Sequence, residues 1–119
     1  MRRTAVVVAM GAIMTLAGMQ SAFAAVASQI SARYNTGTHL FHGIVSSANA
    51  NCREGRTVRV FKMTANGRVL EGMTTSNAKG GWKVESMHAH GMYFAVTPNE
   101  KGMHNTTCNR AKSDTVDVM

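Results

Sequence analysis

The spacing of apolar residues after position 25 constrains this chain most. No stretch of residues 25–119 repeats its apolar side chains at the three-to-four-residue spacing of an amphipathic helix. Apolar and polar residues instead alternate in short runs, and glycine, asparagine or proline interrupts the chain between them. Short strands with turns about every 8–12 residues are typical of an antiparallel β-sandwich or barrel. We therefore predict an all-β fold, a single antiparallel Ig-like or prealbumin-like β-sandwich of about six or seven strands.

Six runs carry this prediction, and the turns between them have recognisable chemistry. The predicted strands span residues 40–46, 56–63, 68–75, 82–86, 91–97 and 111–118. In the second run, Val58 and Val60 face one side while Arg59 and Phe61 face the other. Asn66-Gly67 supplies the positive φ angles that a tight hairpin needs. The sandwich domain is predicted to span 39–119, and the small, polar residues 25–38 form either a flexible arm or a short extra element.

The large apolar residues of these runs are the candidate core. Trp82 is predicted to face inward, with Val60 and Phe61 contributed by the second run. Tyr93 and Phe94 are adjacent, so they point to opposite sides of one strand and only one of them can lie fully inside.

Residues 1–24 have the features of a secretory signal peptide. Arg2 and Arg3 form a positive start, an apolar run of Ala, Val, Met and Leu follows, and Ala22-Phe23-Ala24 supplies a small-x-small cleavage site. The apolar run is shorter than the roughly 20 residues that a membrane-spanning helix requires. Cleavage would remove two of thirteen basic residues and no acid, lowering the net charge from +7 to +5. The expected location is secreted or periplasmic.

The two cysteines fit that location. Cys52 and Cys108 would stay in an oxidising compartment, where an even number of cysteines favours a disulfide. The bridge would close a loop of about 57 residues, which the chain-entropy model values at about 4 kcal/mol. The alternative, a redox or metal-binding thiolate pair, would favour a Cys-x-x-Cys spacing that the chain does not have.

The order of the turn and strand motifs resembles a known group. The sequence carries Val58-Arg59-Val60 before the hairpin and Thr75-x-x-x-x-Gly80-Gly81-Trp82-Lys83-Val84 after it. The next run carries Gly91-Met92-Tyr93-Phe94-Ala95-Val96. Over residues 39–118 this resembles small exported members of the transthyretin-like, or carboxypeptidase regulatory-like, β-sandwich group. The resemblance implies a prealbumin-like fold, and fold alone assigns no function. The chain lacks the Tyr-Arg-Gly-Ser tail of the related hydroxyisourate hydrolases, so that activity is not expected.

A basic cluster near the predicted hairpin is a candidate partner surface. Arg56, Arg59 and Arg68 lie on or beside the two strands. Cations at this density could meet an unknown protein or an anionic cell-surface component. Alternatively, they protect a solvated strand edge from pairing with other chains. Nucleic acid is not expected as a partner, because an exported chain with 6% aromatic residues offers few side chains for base stacking.

A Met/His cluster is the candidate metal site. Met87, His88, His90 and Met92 lie close together in the sequence, and His104 follows downstream. Imidazole and thioether groups suit copper, and a His-x-His pair places both rings on one side of an extended segment. The alternative is that Met92 fills a gap in the packing of its strand and the histidines are ordinary exposed loop residues.

No pattern of catalytic residues is present. No serine lies in a Gly-x-Ser-x-Gly turn, and the acidic residues are spaced singly. We therefore expect a non-enzymatic, exported binding or structural module stabilised by one disulfide. It would have no required cofactor and no transmembrane segment after signal cleavage. The alternative is a periplasmic protein that binds copper or another metal through the Met/His cluster.

Overall fold

The computed structural model describes residues 25–119, so the predicted signal peptide, residues 1–24, lies outside the described residues. The described residues form β-strands and two short 3-10 helices, with no α-helix, which confirms the all-β prediction. The strands are β1 Gln29–Ile30, β2 Arg33–Asn35, β3 Leu40–Ser46, β4 Thr57–Thr64, β5 Gly67–Thr75, β6 Gly81–Glu85, β7 Gly91–Thr97, β8 Glu100–Lys101, β9 Thr107–Cys108, β10 Ala111–Lys112 and β11 Val116–Val118. The 3-10 helices span Ala50–Cys52 and Met103–Asn105.

Strands β1, β2, β3 and β6 form one antiparallel sheet, here called sheet A. β3 lies at its centre and pairs with β6 on one side, with Phe41 opposite Val84. On its other side β3 pairs with β1 and β2 in turn, placing Ile30 opposite Val45 and Tyr34 opposite Phe41. The segment predicted as an arm or a short extra element is therefore an edge of sheet A.

Strands β4, β5, β7, β10 and β11 form a second antiparallel sheet, sheet B. β4 pairs with β5 on one side and with β7 on the other, so that Phe61 lies between Leu70 and Phe94. β10 and β11 both pair with the far side of β7. The short strands β8 and β9 pair with each other as a separate hairpin.

The alternating apolar residues of both sheets meet in one core. Its buried members are Ile30, Phe41, Val45, Val58, Val60, Trp82, Val84, Tyr93, Ala95 and Val118. The ring centroids of Phe41 from sheet A and Tyr93 from sheet B are 4.8 Å apart. Two antiparallel sheets that share a core are compatible with a β-sandwich.

The predicted core is largely confirmed, with one correction. Val60, Trp82 and Tyr93 belong to the shared core. Phe94 is also buried, but it lies on the opposite side of sheet B from Tyr93. Phe61 is half-buried on that same opposite side and is not part of the shared core, because its position in β4 alternates with the inward-facing Val58 and Val60.

Two glycines make turns that other residues would strain. Gly67, at the end of the β4–β5 turn, has a φ of +112°, which an L side chain rarely adopts. Gly80, just before β6, has a φ of +86°, and a Cβ there would collide with the Val45 carbonyl oxygen. The close approach to Val45 brings the Gly80 turn directly against β3, which accounts for the glycine at position 80.

Candidate functional site: the outer face of sheet B

The side of sheet B that faces away from the core carries apolar residues and cations. Along β4, Val58 and Val60 face the core, so the residues between and beyond them face outward. The register of the neighbouring strands places further side chains on this same side. We call this surface the outer face; its residues are Arg59, Phe61, Met63, Arg68, Leu70, Met73, Met92, Phe94, Val96 and Lys112.

An aromatic pair flanked by two cations crosses the middle of the outer face. Phe61 and Phe94 are direct cross-strand neighbours whose rings stack with centroids 5.6 Å apart. The Arg68 guanidinium carbon lies 4.3 Å from the Phe61 ring centroid, and the Lys112 ammonium lies 4.5 Å from the Phe94 centroid. Both distances are within cation–π range. The four side chains thus form one row that spans β5, β4, β7 and β10.

The outer face is apolar where an antiparallel sheet usually presents polar side chains to water. Leu70, Met73, Met63 and Met92 are exposed at 50%, 59%, 46% and 42%. Phe94 keeps only 6% of its surface exposed, although it does not face the core, because the stacked Phe61 ring and the Lys112 side chain lie against it. A contiguous apolar patch with charged groups at its margin is typical of an interaction site.

Sheet A provides an internal comparison. Its outward side carries Arg33, His42 and Lys83 in one register row across β2, β3 and β6. All three are exposed, and Ile44 is the large exposed apolar residue on that side. The outward side of sheet A is therefore mainly polar. Of the two sheets, only sheet B has an apolar outward side.

The cations of the outer face have no carboxylate partner in the described part of the chain. The ion pair found within residues 25–119 joins Arg56 to Glu100 and involves none of the outer-face residues. Asp117 lies opposite Met92 and is the acidic residue that the register places on this side. Arg59, Arg68 and Lys112 therefore give the outer face an excess of positive charge.

Two of the three arginines predicted to bind a partner lie on this face, and one does not. Arg59 lies opposite Met73 and Arg68 opposite Met63, on the same side of the β4–β5 hairpin. Arg56 is fully buried, so its prediction as a partner-binding residue is wrong. It lies just before β4, where its carbonyl still accepts from the Ser76 amide, and its position two residues before Val58 places its side chain on the core side of the strand.

The buried Arg56 is held by a complete set of hydrogen bonds. Its Nε donates to Glu100 at 2.9 Å. Its Nη1 donates to the Ser28 hydroxyl and the Cys52 carbonyl, and its Nη2 donates to the carbonyls of Pro98 and Asn109. All five guanidinium N–H groups thus have an acceptor. Arg56 thereby joins its own stretch, residues 52–56, to three others, at residues 28, 98–100 and 109, at one end of the protein.

The predicted disulfide between Cys52 and Cys108 is confirmed and lies at this same end. The two Cα atoms are 5.7 Å apart, and both residues are fully buried. Cys52 accepts a hydrogen bond from Arg56 through its carbonyl oxygen. The covalent bridge and the arginine hydrogen bonds therefore fix the same group of loops.

The Met/His cluster is divided between two ends of the protein. His88 and His90 are exposed in the turn before β7, and the Tyr93 hydroxyl bonds to the backbone of His90. His104 follows β7 and β8, bonded to Asn51 at 3.2 Å. The seven residues of β7, about 23 Å of strand, therefore lie between the histidine pair at positions 88 and 90 and His104.

His104 therefore does not join the other predicted ligands. Met87 is exposed beside His88, while Met92 projects from the outer face. Within residues 25–119 no three His, Cys, Asp or Glu side chains are grouped so that they could hold a metal ion. A copper site would have to use Met87, His88, His90 and Met92, and it stays a prediction.

The described residues also contain no helix long and apolar enough to cross a membrane. In comparisons with known proteins, no family model, no curated protein and no solved structure matches the chain.

Proposed function

We propose that this protein is an exported, non-enzymatic binding module that recognises an anionic partner through the outer face of sheet B. The observation that carries the proposal is the row of Arg68, Phe61, Phe94 and Lys112 across four strands, with Arg59 beside it. Cations that pair with no carboxylate within residues 25–119 can pair with a negatively charged partner. The neighbouring apolar side chains supply a surface that association would remove from water.

The fold and the disulfide support an exported module. A buried disulfide is typical of proteins that leave the cytosol, and the predicted signal peptide would direct the chain there. We infer that the two sheets form a β-sandwich of the transthyretin-like group that the sequence resembles. In such a module a rigid pair of sheets would present one face to its partner.

Two triple variants with the same net charge test this proposal. The outer-face triple variant carries Arg59→Ser, Arg68→Ser and Lys112→Ser. The control triple variant carries Arg33→Ser, Lys79→Ser and Lys83→Ser. All three residues are exposed: Arg33 and Lys83 lie on sheet A, and Lys79 lies in the turn before β6. Each variant is applied to an immobilised polyanion, and the salt concentration that elutes it is measured.

If the outer face is the binding surface, the outer-face triple variant elutes at much lower salt than the control. If retention depends on net charge alone, both variants shift equally, and the proposal is wrong. Thermal unfolding of each variant confirms that the fold is retained.

A further inference from the structure

The β4–β5 hairpin forms one lateral edge of sheet B, because β5 pairs with β4 alone. The pairing of β4 with β7 ends at Lys62, opposite Tyr93, whereas the pairing of β4 with β5 continues to Thr64, opposite Gly67. Met63 lies in this last part of β4, on the outer face. β7 remains paired with β11 through Met92 and Gly91, so the hairpin is the open edge of the apolar surface.

This edge of sheet B carries an exposed apolar residue on each of its two sides. Leu70, opposite Phe61, lies on the outer face and is 50% exposed. Val69, opposite Lys62, lies on the other side and is 55% exposed. A folded protein that docked on the outer face would leave Val69 in water. A fluid apolar layer would contact both sides of the hairpin.

The charge of the outer face argues against a second copy of this chain as the occupant. Two outer faces packed against each other would bring Arg59, Arg68 and Lys112 of one copy against the same cations of the other. Asp117 is one acidic residue against these three. Like charges that approach in an interface oppose association.

The positions of the cations fit the surface of a lipid bilayer. The charged ends of Arg68 and Lys112 lie over the aromatic rings at the level of the apolar patch. Proteins that lie in a membrane interface bury apolar side chains at the headgroup boundary and keep Lys and Arg at the level of the lipid phosphates. Leu70, Met63 and Met73 would supply the apolar side chains of such a surface.

We propose that the outer face and the β4–β5 hairpin bind the surface of an anionic phospholipid bilayer. This inference rests on the proposed function, because it names the anionic partner of the same surface. In the bound state the sheet is tilted so that its edge strand β5 enters the headgroup boundary with Leu70 on one side and Val69 on the other, and Arg59, Arg68 and Lys112 pair with lipid phosphates.

Co-sedimentation with vesicles tests the inference. The probes are vesicles of phosphatidylglycerol and phosphatidylcholine in equal parts and vesicles of phosphatidylcholine alone. Wild type should sediment with the anionic vesicles, and added salt should weaken the binding. Each cation near an anionic surface contributes about fivefold to partitioning, so the outer-face triple variant should bind roughly a hundredfold more weakly. The control triple variant should change about twofold or less, because its cations lie away from the contact surface.

A fluorescence measurement separates insertion from simple charge attraction. Leu70→Trp, made in a background where Trp82 is replaced by Phe, should shift its emission to shorter wavelength on anionic vesicles. Lys79→Trp in the same background should not shift. If the Trp82→Phe background unfolds, the Leu70→Cys variant is made in the wild-type chain, which keeps its Cys52–Cys108 disulfide. An environment-sensitive fluorophore attached to the new thiol then provides the same reading.

The outcomes distinguish this inference from the proposed function. If the outer-face triple variant alone loses retention on the polyanion but wild type ignores anionic vesicles, the binding surface stands and the bilayer is wrong. The soluble partner would then be an acidic protein or polymer. If both triple variants bind polyanion and vesicles equally, both proposals are wrong.

Discussion

Arg56 offers the sharpest test of how this fold is held together. Replacing it with Met removes the charge and all five hydrogen bonds of the guanidinium but keeps much of the buried side-chain volume. Removing one partner of a buried ion pair typically costs about 3–5 kcal/mol. Glu100 would keep its bonds from the Thr57 amide and the Thr97 hydroxyl, which limits the cost. We therefore expect Arg56→Met to lower the free energy of unfolding by about 4 kcal/mol.

Urea unfolding of the oxidised protein, followed by circular dichroism, measures this change. About 4 kcal/mol in a domain of this size corresponds to a fall of roughly 15–20 °C in Tm. Lys83→Met, on the exposed side of sheet A, is the matched control and should change the stability by about 0.5 kcal/mol or less. In a double-mutant cycle with Glu100→Gln, the two changes should couple by about 1–3 kcal/mol. A loss below about 1 kcal/mol for Arg56→Met would refute the role assigned to the buried guanidinium.

Three further changes test other parts of the structure. Replacing Cys52 and Cys108 together with Ala should cost about 2–5 kcal/mol in urea unfolding, since the closed loop is long; an unchanged midpoint would contradict this. Gly80→Ala should cost about 1–3 kcal/mol, because φ is +86° and a Cβ meets the Val45 carbonyl oxygen, whereas Gly37→Ala in an exposed turn should cost less. Native mass spectrometry with one equivalent of copper tests the predicted metal site: a retained ion that His88→Ala/His90→Ala abolishes would support it, and weak non-stoichiometric adducts would refute it.

The parts of the fold that depend on alternation could be predicted from sequence. β3 and β7 match their predicted ranges, 40–46 and 91–97, because each has a clear two-residue period between turn signals. The same period places Phe61 with Arg59 on the side opposite Val58 and Val60, so the prediction of Phe61 as a core residue went against it and was wrong. β1 was harder to predict, because it has only two residues, too few to show an alternating pattern, and Ile30 gains its place through pairing with β3.

The candidate site could be predicted only in part, because its neighbours come from distant strands. Sequence alone shows that Phe61 alternates with Val60, and Phe94 with Tyr93, but not that both phenylalanines face outward or that the β4–β7 register stacks them. The period of β4 places Arg56 on the same side as Val58 and Val60, but its full burial could not be predicted from the neighbouring residues. Its acceptors come from Ser28, Cys52, Pro98, Glu100 and Asn109, and most of them are more than 25 residues away in sequence. An arginine beside other arginines looks like part of a surface patch until these partners are known.

The central claim is that one face of sheet B is the binding surface, and amide chemical-shift mapping tests it most directly. A short polyanion is titrated into isotopically labelled protein, and the amide signals of the two outward sheet sides are compared. The account predicts shifts at Arg59, Phe61 and Phe94 and no comparable shifts at His42 and Lys83. Shifts that spread evenly over the exposed cations of both sheets would contradict it.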